Sequence, residues 1–277
     1  TASVSALCEN LALQNNHITV YTTTANGSND FTPKKIILEN VDVTYFKRWT
    51  GDHSHFSPSL LWNVYLNCRK YDVVHIHSWW NWVAILSLLV CILKGVKPVF
   101  SPRGMLSEYL IRSTLRKKVH YTVGKWLLSR TVVHFTSELE QAECLKYIPD
   151  WEHFAIPNIV ELPEYVPTDN KADLFTLVFV GRIHPVKRLE ILIKALGKIT
   201  SPFNFIIIGD GEKSYIDSLH NLTIEEKIQG KVIWKGWLEG ALKNTILSYS
   251  DLFVLTSTTE NFANSALEAL SVGTPVL

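Results

Sequence analysis

Short runs of Val, Ile, Leu and Phe alternate with helix-length segments along the whole 277-residue chain. In the first half HITVYTTT (17–24), VDVTYF (41–46), DVVHIH (72–77), KPVFSP (97–102) and TVVHFTS (131–137) predict strands. A second series follows with TLVFVG (176–181), FNFIIIGDG (203–211), KVIWKGW (231–237) and DLFVLTS (251–257). Between strands, residues 78–94 have the length of a helix, and LEILIKALGKI sets Leu189, Leu192, Ile193, Leu196 and Ile199 on one apolar face. Unbroken apolar strands separated by helices predict parallel sheets covered on both faces. The stretch IPNIVELPEYVPTDNKAD (156–173) carries three prolines and a polar finish, and reads as a linker. The expected architecture is therefore α/β. A Rossmann-like domain covers 1–160, a linker 161–173 and a second Rossmann-like domain 174–277, with parallel sheets facing across a cleft. Ligands of such sheets bind at the carboxyl ends of the strands.

Composition narrows the function classes. A hydrophobic fraction of 47% with 19% charged residues belongs to a well-cored soluble chain, and a net charge of +1 gives no electrostatic case for nucleic acid. The four cysteines, Cys8, Cys68, Cys91 and Cys144, form no CxxC pair, so neither a disulfide framework nor a zinc site is predicted and a cytoplasmic setting is expected. The nine tryptophans and ten tyrosines are core in part, and in part could line a sugar-binding cleft. WWNWVAILSLLVCILKG (79–95) is the most apolar stretch, but it stops at Lys94, short of the ~20 residues a bilayer requires, and is read as a buried helix. The chain opens without a secretory signal, on what reads as a helix under way, and closes on GTPVL, a turn and the start of a strand. Both ends look cut, with elements of each domain expected beyond them.

Candidate chemistry sits where the strands end. Gly181 and Arg182 follow TLVFV directly, and Lys187 precedes the helix near Leu189. Cations at a helix start oppose its dipole, so local structure gives them no reason to be there, whereas a diphosphate would. After DLFVLTS come Glu260 and Glu268, around Phe262-Ala263-Asn264 and ahead of a helix that Asn264 or Ser265 could cap. The two carboxylates could hold different parts of one ligand, with the amides of residues 262–265 as anion donors between them. The alternative for this pair is a surface glutamate and a glutamate on the helix dipole. His75 and His77 are taken to point to opposite faces of their strand, so no metal pair is expected. His77, at the strand end, is the cleft-facing candidate, and His75 is read as a satisfied buried histidine. The basic run RSTLRKKVHYTVGK (112–125) is either a solvated helix face or a contact for anionic lipid head groups.

Taken together, VGRIHPVKRLEILIKAL, IIIGDGE, VIWKGW and TTENFANSALEALSVGTPV resemble the GT-B glycosyltransferases of family 4, including their E-x7-E pattern. DVVHIHSWW, SPRGML, KKVHYTVGK, VHFTSELE and IPNIVELP are similar to the acceptor half of members that build bacterial surface polysaccharides. The resemblance implies a retaining, metal-independent transfer of sugar from a nucleotide-sugar to a saccharide or lipid-linked saccharide. It implies no cofactor, no nucleic acid, and a cytoplasmic protein with a possible peripheral contact to the membrane's inner face. It casts Arg182 and Lys187 as the cations for the diphosphate, Glu260 at the donor sugar and Glu268 at the ribose hydroxyls. Gly181, Phe262, Ala263 and Asn264 would line the donor, with Gly209, Gly211 and the segment after Gly236 near the base. Two departures stand out. Ala263 occupies a position that is often glycine, which is tolerable only at negative φ. Arg103 replaces a histidine and cannot accept a proton, leaving it either a catalytic partner or an acceptor-side anchor. These departures motivate a rival, a GT-B-shaped protein that binds a nucleotide-sugar without transfer. A sugar-nucleotide epimerase of the same fold is a third reading. Lacking elements at each end, the 277-residue piece alone is expected to have weak or no activity.

Overall fold

The computed structural model describes residues 2–25, 30, 32, 34–52, 54–106, 124–146, 150–160, 162, 174–258, 260 and 262–277. Most of the expected linker and most of the basic run 112–125 fall outside them. The chain divides into two compact units, Thr1–Ile159 and Val160–Leu277.

In the first unit, helix α1 (Ala2–Leu13) precedes strand β1 (Ile18–Thr23), which pairs in parallel with β3 (Val41–Phe46). Between them the sequence patterns overlooked β2 (Lys35–Leu38), which pairs antiparallel with β3. The hairpin closes through Glu39 and Asn40 at φ 46° and 64°, the doubly left-handed conformation of a tight two-residue turn. This sheet is thus mixed, where only parallel pairing had been expected. A second sheet runs β4 (His75–His77), β5 (Val99–Ser101), β6 (Val132–Phe135), β7 (His153–Ala155), parallel throughout, with helix α4 (Glu138–Leu145) between β6 and β7 in the chain. The apolar stretch that could be mistaken for a membrane span forms α3 (Trp82–Leu93), starting four residues later than predicted because Asn81 caps it, accepting from the Ala84 amide at 2.8 Å. Its buried face is Ala84, Ile85, Ser87, Leu88 and Cys91. Among the described residues no helix is long and apolar enough to cross a membrane. The helix packs on α2 (Pro58–Asn67) around fully buried Trp79 and Phe100, whose rings meet edge to face at 5.5 Å.

The second unit shows why its strands are apolar without alternation. Its sheet has the order β10 (Val232–Gly236), β9 (Phe203–Ile208), β8 (Phe175–Val180), β11 (Leu252–Phe253), all parallel. Successive side chains of a strand point to opposite faces. Leu177, Phe179, Phe205 and Ile207 enter one core with Leu189, Leu192, Ile193 and Leu196 of α5 (Leu189–Leu196) and Leu219 of α6 (Lys213–Glu225). Val178, Val180, Ile206 and Ile208 enter the other, with Ile246 and Leu247 of α7 (Gly240–Tyr249) and Ala269 of α8 (Asn264–Ser271). Helices cover both faces, so residues 177–180 of β8 and 205–208 of β9 are apolar on both. Val276 adds a parallel bridge to Phe253 at the other edge.

Candidate active site

The loops that leave the carboxyl ends of β8 and β11 are tied to each other. After Gly181 and Arg182 the chain makes a 3-10 turn, Pro185–Lys187, capped by His184, which accepts from the Val186 amide at 3.2 Å. The Thr256 hydroxyl donates to the Lys187 carbonyl at 2.9 Å, and the Thr258 amide to the Val186 carbonyl at 2.9 Å. Beyond these bonds, the Lys187 ammonium donates to Glu260 Oε2 at 2.5 Å. Two residues separated by 73 positions, each picked out as a ligand contact, thus form one ion pair. Arg182 is exposed and has no hydrogen-bond or ion-pair partner among the described residues.

Glu268 is on α8, one turn after Asn264, so the two share a face of the helix. Its Oε2 accepts from Lys243 Nζ of α7 at 2.8 Å, and both side chains are largely buried. Lys243 carries no signal in the sequence, because only the packing of α7 on α8 brings it to Glu268. Asn264 Oδ1 and the Ser257 hydroxyl are buried without a hydrogen-bond partner among the described residues. The helix is not capped by Asn264 or Ser265 as expected. Its cap is Ala263, and the Asn264 amide is spent on the Phe262 carbonyl at 3.0 Å. Ala263 has φ −81°, within reach of any residue, so the alanine needs no strained backbone.

Gly209 and Gly211 have a different explanation from closeness to a ligand. The Ile183 amide donates to the Asp210 carbonyl at 2.8 Å, and the Gly181 amide to the Ile208 carbonyl at 3.0 Å, so the ladder between β8 and β9 continues into their loops. A Cβ on Gly209 would lie 1.9 Å from the Gly181 carbonyl oxygen, and one on Gly211 1.9 Å from that of Ile183. The glycines let two backbones run in contact just below the place where Arg182 emerges.

In the first unit a polar network lies along the ends of β4, β5 and β6. His75 and His77 are two positions apart and therefore on the same face, correcting the expectation of opposite faces; their rings are 4.1 Å apart. His75 Nε2 is 2.7 Å from the Ser101 hydroxyl, which is 2.8 Å from His134 Nδ1, and His134 Nε2 is 2.9 Å from the Ile156 carbonyl. A carbonyl only accepts, so His134 donates from Nε2, Ser101 donates to its Nδ1, and His75 donates from Nε2 to Ser101. The chain of bonds sets each neutral tautomer. His77 Nδ1 is buried without a partner among the described residues. Next to them Arg103 has φ 53°, and its Nη1 donates to Asn158 Oδ1 and, at 3.3 Å, to the Ser3 hydroxyl. Its Nε is buried and unpartnered among the described residues. Buried Glu140 holds the same loop, accepting from the Gly104 amide at 2.5 Å and from the Thr136 amide at 2.8 Å. Glu140, Asn158, Ser101 and His134 were missed in the sequence, for these contacts span strands and loops far apart in the chain. Among the described residues no three His, Cys, Asp or Glu side chains are grouped so as to hold a metal ion, and all four cysteines are free.

Burial holds the His75 imidazolium down to about 3 and that of His77 to about 2, helped by the charges of His134 and Arg103 and, for His77, of His75. The unfolded chain binds these protons near the ordinary value of about 6.5. Stability is then independent of these groups above about pH 7 and is lost as pH falls from about 6 toward 3, by at most ~2.7 kcal/mol per pH unit for the two together. Urea unfolding at a series of pH values should show this acid limb, and a His75→Gln/His77→Gln variant should flatten it. A wild-type curve that stays level down to about pH 4.5 would contradict the assignment.

Comparison with known proteins places both units. Residues 1–163 match the family described as Glycosyltransferase Family 4, and residues 166–277 that described as Glycosyl transferases group 1. Over 237 residues the chain is 30% identical to the UDP-Gal:alpha-D-GlcNAc-diphosphoundecaprenol alpha-1,3-galactosyltransferase of Escherichia coli, covering 76% of this chain and 58% of that one. Over 272 residues it is 27% identical to an uncharacterized glycosyltransferase of Methanocaldococcus jannaschii, covering 86% and 67%. The chain therefore spans about three fifths to two thirds of these relatives. The crystal structure of Anabaena HepE in complex with UDP and glucose superposes with a TM-score of 0.77 at 18% identity, covering all of this chain and 76% of that one. Sucrose-phosphate synthase from Thermosynechococcus elongatus superposes at 0.78 with 19% identity, covering 99% and 73%. At such identities these likenesses show the fold, which is GT-B.

Proposed function

Since the chain belongs to glycosyltransferase family 4, we propose that the whole protein transfers a sugar, with retention, from a nucleotide-sugar to a saccharide or lipid-linked saccharide acceptor during synthesis of a surface glycan. The observation that carries this reading is the meeting of Lys187 with Glu260 across the loops of β8 and β11, with Arg182, which has no partner among the described residues, on the same loop as Lys187. Charge accumulates on the departing diphosphate as the glycosidic bond breaks, and cations already in place stabilise it there without reorganising. Arg182 and Lys187 supply them. Glu268, steadied by Lys243, accepts from the ribose hydroxyls, and Glu260 faces the donor sugar. Phe262, Ala263, Asn264 and Gly181 border the donor, with Gly209 and Gly211 shaping the loop beneath it. Arg103 and His77 serve in the first unit, and no metal or cofactor takes part. The relative from Escherichia coli is named for an acceptor carried on a lipid diphosphate, which supports a lipid-linked acceptor and work at a membrane surface.

The rival reading, a nucleotide-sugar binder without turnover, drew on Arg103 and Ala263, and the negative φ of Ala263 removes the second motive. Turnover by the unsubstituted full-length protein separates the two, and Glu268→Ala tests the site. Ribose contacts act alike on ground and transition states, so the substitution is expected to raise KM for the donor by roughly tenfold or more with a smaller change in kcat. The measurement is release of nucleoside diphosphate in the presence of acceptor, across a panel of nucleotide-sugars. No turnover of any donor by the unsubstituted full-length protein would favour the binder.

A further inference from the structure

The Lys187–Glu260 pair sets up a conflict at the point where the diphosphate is expected. The ammonium meant for the anion already carries a carboxylate at 2.5 Å, and the two side chains are 17% and 29% exposed. The backbone of Lys187 is not free to drift away. The Lys187 amide bonds the His184 carbonyl at 2.8 Å, and its carbonyl receives Thr256 from the strand end that leads to Glu260. A diphosphate approaching Lys187 therefore meets the negative charge of Glu260, at a distance where water screens it only in part.

The two ligands of the proposed reaction feel this charge differently. A nucleotide-sugar carries hydroxyl groups beyond its diphosphate, and these donate hydrogen bonds to a carboxylate, which accepts them more strongly than a neutral group does. A nucleoside diphosphate without sugar has no such donors and carries a further negative charge on its terminal phosphate. For the donor, attraction at the sugar offsets repulsion at the diphosphate; for the product only repulsion is left. We propose that Glu260 is a specificity-determining residue that favours the sugar-bearing donor over the bare diphosphate, by competing for Lys187, and so speeds release of the product. This rests on the reading of Lys187 as the diphosphate cation, and deepens it.

The test uses inorganic pyrophosphate, which presents the diphosphate alone, titrated calorimetrically into the full-length protein. Glu260→Gln keeps the shape and removes the charge, and is expected to bind pyrophosphate about fivefold to tenfold more tightly than the unsubstituted chain. Lys187→Ala is expected to lose most of the binding, and adding Glu260→Gln to it should restore nothing, since the two act through one contact. Should the Gln variant not fold, Glu260→Ala carries the same test. If Lys187→Ala weakens binding while Glu260→Gln leaves it unchanged or weaker, the competition is refuted and Lys187 keeps its role. If Lys187→Ala binds as before, or no variant binds at all, the reading of Lys187 fails and the competition with it.

Discussion

Replacing Arg182 by alanine is expected to lower sugar transfer by the full-length protein roughly 10²- to 10³-fold while leaving its stability within about 0.5 kcal/mol of the parent. The contrast follows from where the residue stands. Arg182 is exposed, and no side chain or backbone carbonyl among the described residues accepts from it. With the guanidinium the fold therefore loses no hydrogen bond or ion pair among the described residues. Its place directly after Gly181, at the carboxyl end of a central strand, is where a developing anion would be met. Removing one preorganised donor to such charge costs about 2.7–4 kcal/mol of barrier in other enzymes, and the loss should fall on kcat rather than on KM. Steady-state kinetics with the preferred donor, paired with urea unfolding, reads both numbers. A variant that keeps more than a tenth of the parental kcat would remove Arg182 from the proposed chemistry. A variant that loses stability instead would make it a structural residue.

Gly209→Ala and Gly211→Ala are expected to have the largest effect on stability, about 3 kcal/mol or more each. In both, the new methyl would lie 1.9 Å from a backbone carbonyl oxygen. Neither oxygen can step aside, since they belong to the stretch where the Ile183 and Gly181 amides bond to the loop beyond β9. Gly209 also has φ 153°, which side chains rarely adopt, whereas at Gly211 the close approach acts alone. The pair of variants thus tells contact from conformation: similar losses would assign the cost to the clash, and a loss confined to Gly209 would assign it to φ. Gly230, with open space around the position of a Cβ, is the control and should accept alanine with little change. Denaturant midpoints measured on the 277-residue chain decide the matter. Two variants as stable as the parent would contradict the backbone contact.

Much of the second unit was legible before any coordinates. The apolar runs of β8 and β9 predicted a parallel sheet with both faces buried, because a strand without polar positions cannot face water on either side. The helix at Leu189 was legible from its one apolar face, although Ile199, expected on that face, lies beyond the helix end and is exposed, and Arg182, Lys187, Glu260 and Glu268 were legible from their places after strands. Errors came where a local rule was incomplete. His75 and His77 were assigned to opposite faces although a strand repeats every two residues. Strand β2 was missed because KKIIL is short and its turn, Glu39-Asn40, lacks the glycine that marks most tight hairpins. The cap of α8 was placed one or two residues late, since propensity favours Asn or Ser where the backbone in fact turns at Ala263.

What the sequence determined by itself is most of the elements, though not β2 or β7, and the charged residues placed at strand ends. Periodicity and strand-end chemistry are local properties, written within a few residues of one another. Only the tertiary structure decided who holds whom. Lys187 meets Glu260 across 73 positions, Lys243 meets Glu268 across 25, and Arg103 meets Asn158 across 55. It also decided that Gly209 and Gly211 serve a backbone contact before any ligand. The physical reason is that pairing between elements depends on how strands are ordered and helices packed, and one chain's local pattern is compatible with many such pairings. A charge is chosen by its neighbour in space, and that neighbour is set only when the sheet closes.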